Sequence, residues 1–164
     1  MLRFVRLFAA IVSCAGLLSL SAVVAQASTS GAHFMRDTSA SVNDSGGLVV
    51  NIDEAGVGNQ DVNYTLTANA TATYACINGG GNHPKAANKE TFQNALTASG
   101  KFSPINGRIM ATLTSGPVSA DGFSCPSGQT LVLANVSYDN IVLTDTTNGV
   151  TDNLGSASRV FFAV

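Results

Sequence analysis

The sequence predicts an all-β chain, an antiparallel β-sandwich closed by one disulfide, and three observations carry that expectation. Apolar residues recur at every second position in segment after segment, and Gly- and Pro-containing turns separate those segments. Beyond residue 27 no stretch repeats its apolar residues with the helical period of about 3.6. A closed β-barrel is the alternative way to bury the same strands.

The chain begins with Arg3 and Arg6, continues through an apolar stretch from Leu7 to Val24 and ends that stretch in Ala25-Gln26-Ala27. A basic start, an apolar middle and small residues at the cleavage site define a secretory signal peptide over residues 1–27. The stretch approaches the roughly 20 residues of a membrane span. No second apolar run follows it, so the mature chain is expected to carry no membrane span. Ile11-Val12-Ser13 before Cys14 resembles a lipoprotein signal, but cleavage there would strand Ala15 to Val24 on the mature protein.

Removing residues 1–27 leaves 164 − 27 = 137 residues, enough for one domain with a real core. The mature chain keeps 8 − 2 = 6 basic residues against 10 acidic ones, a formal charge of −4, which offers no footprint for nucleic acid. Thr, Ser, Asn, Gly and Ala are abundant where charges are few, a composition suited to a hydroxyl- and amide-covered extracellular surface.

Residues 28–45 show little periodicity and read as a flexible N-terminal segment, so the domain is expected over 46–164. Leu48, Val50 and Ile52 then alternate in a first strand closed by Gly56 and Gly58. From Asp61 to Cys76, Val62, Tyr64, Leu66, Ala68, Ala70, Ala72 and Tyr74 share one parity, with Asn and Thr on the other. That is a long strand with one buried face, and its alanines imply an opposing sheet nearby or a bend. Phe92, Leu96, Ala98 and Phe102 mark the next strand, Pro104–Gly107 a turn, and Ile109, Ala111 and Leu113 the return. Val132, Ala134, Val136 and Tyr138 alternate before the parity shifts to Ile141 and Leu143, which predicts a β-bulge near Asp139-Asn140. Asn148-Gly149 reads as a two-residue hairpin turn, and Val160, Phe162 and Val164 as a last strand. About seven strands with turns between them imply a sandwich of immunoglobulin-like general architecture.

With Cys14 lost in the signal, Cys76 and Cys125 remain as an even pair in an oxidising compartment and are expected to bond to each other. Strand direction supports the pairing. If the strand ending at Cys76 runs up, 91–102 runs down and 108–115 up, which returns the loop holding Cys125 to the same end.

Chemistry-bearing groups are scarce. His33 and His83 are the histidines of the mature chain, and neither is accompanied by a nucleophile motif or a zinc-ligand cluster. Asn59, Asp61 and Asn63 have the opening spacing of a calcium loop but lack its glycine, and read as the polar face of a strand. Asp53, Glu54, Asp121, Asp139 and Asp145 read as turn and strand-end acids. No catalytic, cofactor-binding or metal-ligating residue is therefore assigned, and no cofactor is expected. Tyr64, Tyr74 and Tyr138 fall on apolar parity, in a chain without Trp, so platforms for stacking on sugar are not evident. Sequons occur at Asn43, Asn63, Asn69 and Asn135. The remaining feature is the segment 77–90, where Gly79–Gly81 precede Asn82, His83, Lys85, Asn88 and Lys89; with Asn78 these residues form the candidate binding loop, tied to the scaffold by the disulfide.

The segments TATYACINGGGNHPKAANKETF, GFSCPSGQTLVLANVSY and LTDTTNGVT resemble those of small secreted proteins of actinobacteria and filamentous fungi, over residues 46–164. The resemblance implies a secreted β domain and brings no activity to any residue. The function expected from all of this is a secreted or cell-surface, non-enzymatic interaction module that recognises a protein or a cell-wall polysaccharide. A carbohydrate-binding or adhesion module, and a secreted hydrolase or protease inhibitor, are the alternatives.

Overall fold

The computed structural model describes residues 31–78 and 88–163, so the signal-peptide reading lies outside the described residues. The described chain is all β and forms a two-sheet antiparallel sandwich with one disulfide, not a barrel. Its strands are β1 (His33–Phe34), β2 (Ser39–Val42), β3 (Leu48–Ala55), β4 (Val62–Asn78), β5 (Lys89–Phe102), β6 (Arg108–Ser115), β7 (Gln129–Asp145) and β8 (Val150–Val160). In the smaller sheet β3 is flanked by β6 along one edge and by β1 and β2 in succession along the other. The larger sheet has the order β5-β4-β7-β8.

The alternation of β4 places Val62, Tyr64, Leu66, Ala68, Ala70 and Ala72 in the core, facing Leu48, Val50 and Ile52 of β3 and Ile109 and Leu113 of β6. The small alanines have a use. Ala70 pairs with Tyr138 of β7, and the space it leaves lets the Tyr138 hydroxyl cross the core and donate to the Gly46 carbonyl at 2.7 Å. A register shift between Thr73 and Tyr74 breaks the expected parity near the end of β4, so that Ala75 and Cys76 are both buried. The bulge expected at Asp139-Asn140 is present: the β7–β8 register shifts between Tyr138 and Ile141, and Asn140 adopts a φ of 52°.

Four expectations are corrected. Residues 33–42, read as a flexible lead-in, form β1 and β2. Between these two strands the Thr38 hydroxyl takes the place of a ladder group, donating to the Asp53 carbonyl at 2.8 Å and accepting from the Asp53 amide at 3.1 Å. The strands alternate in direction as counted, but β4 takes β7 as its neighbour while β6 crosses to the other sheet. Asn148-Gly149 ends a four-residue connection, 146–149, between the paired residues Asp145 and Val150. The two-residue turn is Asn106-Gly107, whose φ values of 52° and 75° are those of the type I′ hairpin. Finally, the last strand ends at Val160, because the Phe161 and Phe162 amides both turn onto the Ala134 carbonyl.

Candidate binding pole and a buried carboxyl pair

At the upper end of the sandwich β4 finishes at Asn78 and β5 starts at Lys89, with the Asn88 carbonyl accepting from the Cys76 amide at 3.0 Å. The segment between β6 and β7 folds over this end. Cys125 is bonded to Cys76 with Cα atoms 5.5 Å apart. Val118 is buried, its carbonyl accepts from the Tyr74 hydroxyl at 2.7 Å, and the Phe123 ring packs at a tilt of 52° against Phe92, which in turn meets Tyr74 edge-on. One covalent bond and an aromatic triplet thus pin 116–128 to the inner surface of β4 and β5. Of the sequence-predicted loop residues, Asn78, Asn88 and Lys89 are exposed around this disulfide. Asn82, His83 and Lys85 lie outside the described residues.

At the opposite end, sequence reasoning missed a pair of acids. Glu54 and Asp145 are both fully buried, one at the end of β3 and the other at the end of β7. The Tyr64 hydroxyl donates to Glu54 Oε2 at 2.6 Å, while Glu54 Oε1 is met by no donor among the described residues. Asp145 closes the 146–149 connection: its Oδ1 accepts from the Thr147 and Asn148 amides at 2.7 and 2.9 Å, and its Oδ2 from Asn148 Nδ2 at 2.5 Å. Burial pushes the Glu54 carboxyl up to about 7 from its ordinary 4.5; the Tyr64 hydrogen bond opposes this and the adjoining Asp145 adds to it. Burial and the neighbouring Glu54 in turn raise the Tyr64 phenol. Burial thus favours the protonated form of Glu54, which lets two neighbouring carboxyls be enclosed without a cation between them. The signal for this pair was available, since Glu54 continues the parity of Leu48, Val50 and Ile52, and Asp145 that of Ile141 and Leu143.

Asp53 and Asp61 are ion-paired. Asp53 pairs with Arg108 through two bonds, Nε at 2.7 Å and Nη2 at 2.5 Å, and this partner holds its carboxyl below the usual range. Asp61, the centre of the calcium-like spacing, accepts from Ser103 at 2.6 Å and meets Lys101 at 3.0 Å. Tyr64 and Tyr138 are buried and Tyr74 half-buried, so none offers an open ring. The outer face of the larger sheet instead carries rows of hydroxyls, one of them running Ser99, Thr65, Thr144, Thr151 across all four strands. No family model, curated protein or solved structure matches the chain.

Proposed function

We propose that the chain is a secreted, non-enzymatic interaction module that binds its partner at the pole built around Cys76–Cys125. The observation that carries this reading is the double anchoring of 116–128, by the disulfide and by the Tyr74–Phe92–Phe123 triplet, beside the exposed Asn78, Asn88 and Lys89. A loop held in one geometry loses less entropy when it binds. Hydrolytic chemistry is poorly served here: the two acids that lie together, Glu54 and Asp145, are sealed from solvent, where no substrate can reach them. The disulfide accords with an oxidising compartment, and the signal reading places cleavage after Ala27.

Replacing 119–122 with Gly-Ser residues and Lys89 with Glu tests the pole, with circular dichroism confirming the fold. Binding to the isolated cell wall and to proteins of the culture medium should fall together with these changes. Unchanged binding by both variants would move the functional surface elsewhere. A second reading, a polysaccharide-binding face, is favoured by the four-strand hydroxyl rows, and Thr65→Val with Thr144→Val tests it by loss of cell-wall binding alone.

A further inference from the structure

A sandwich of open sheets has four edges, and a strand edge that is long, regular and free of charge is a template for another chain. Three of the four edges here are blunted. The β1–β2 edge consists of two short pieces interrupted at residues 35–38. β8 is bent by a register shift and by Gly155 at a φ of 74°. It is also strapped to β2 by Arg159, which donates to the Val42 carbonyl at 3.3 Å and pairs with Asp44 at 2.6 Å. β6 is the shorter strand, eight residues against the fourteen of β5.

β5 has none of these protections. It runs for fourteen residues and pairs with β4 in unbroken register from Ala75↔Lys89 to Val62↔Phe102. It contains no proline, and its charges, Lys89, Glu90 and Lys101, sit at its two ends. Thr91 to Gly100 is uncharged and largely exposed. Among the described residues no backbone hydrogen bond leaves its free side.

We infer that β5 is a self-association edge, where a second copy of this chain adds its own β5 antiparallel and joins the two larger sheets. The faces decide the register. Phe92, Leu96, Ala98 and Phe102 point to the core, so a continuous inner face requires even-numbered residues to oppose even-numbered ones when the axis passes through a residue. An axis at Ala95 would set Lys89 directly opposite Lys101, and like charges in that position oppose pairing. An axis at Leu96 avoids this and still pairs Glu90 through Phe102. The inference does not depend on the pole described above, since β5 pairs along its edge and the pole lies at its end.

The experiment is sedimentation equilibrium of the secreted protein over a wide concentration range. A monomer–dimer equilibrium is expected. Thr97→Lys, which brings two ammonium groups to diagonal positions across the twofold axis, should weaken it at least tenfold, as should Gln93→Lys. Thr67→Lys is the control: Thr67 is Thr97's cross-strand neighbour on β4, so it adds the same charge to the same face one strand away from the edge. It should leave the dimer within about twofold of the wild type. A protein that stays monomeric at every concentration overturns the inference. So does a dimer that Thr97→Lys and Gln93→Lys leave intact.

Discussion

Replacing Glu54 with Gln should make the domain more stable at alkaline pH and nearly unchanged at acidic pH. The reasoning starts from burial. Glu54 is fully enclosed, and its carboxyl is held at about 7 in the fold against 4.5 as the ordinary value. A carboxyl with a raised folded value binds its proton more tightly when native. Its charge is therefore a cost that is absent below about pH 4.5, grows between 4.5 and 7, and is complete above 7. At about 1.4 kcal/mol for each pH unit of displacement, the difference amounts to about 3 kcal/mol. Glutamine keeps the shape, still accepts from Tyr64, offers an N–H toward Asp145 and never ionises. Urea unfolding of both proteins from pH 4.5 to 8.5 would check this. The wild type should lose about 3 kcal/mol relative to the variant as pH rises through that window, with the curves meeting near its acid end. Parallel curves, or a variant less stable at pH 8 than the wild type, would refute the account of a buried proton.

Three further outcomes follow. Changing Cys76 and Cys125 together to Ala frees a loop of 49 residues and should lower the unfolding free energy by about 4 kcal/mol in the chain-entropy model. Non-reducing peptide mapping would report the bond itself, and two titratable thiols in the native protein would contradict it. Gly107→Ala forces a side chain into a φ of 75° at the Asn106-Gly107 turn and should cost about 1 kcal/mol in urea unfolding; no neighbouring heavy atom lies closer than 3.8 Å to the added carbon, so the cost is conformational. N-terminal sequencing of the secreted protein should begin at Ser28, and a mature chain starting at Cys14 or keeping Met1 would count against the export reading.

Much of this architecture was legible because its cause is local. In Asp61–Cys76 the side-chain period of two and the burial of one sheet face act on adjacent residues, so the alternation of Tyr64, Leu66 and Ala68 with Thr65 and Thr67 could be read directly. The bulge at Asp139-Asn140 was readable for the same reason, because one extra residue flips the parity of everything after it. The candidate site was legible only in part. Cys76 and Cys125 could be paired by elimination, but nothing in the sequence spacing showed that Tyr74, Phe92 and Phe123 would clamp 116–128 beside them.

The sequence by itself determined the fold class, the long strands and the disulfide, since each rests on composition or on neighbours along the chain. The tertiary structure alone decided which strands became neighbours. β6 crosses to the smaller sheet and β7 closes on β4, a choice set by how whole faces pack. It also decided that β1 and β2 exist, because so few residues gain strand structure only when Thr38 can bond to Asp53, fifteen residues away. Glu54 and Asp145 are the extreme case. Each was visible as an acid on an apolar parity, but the raised Glu54 carboxyl depends on β3 and β7, which lie in different sheets, bringing residues 145 − 54 = 91 positions apart together in the core. A periodic pattern shows which side of a strand is buried, and only the packed sheets set what that side meets.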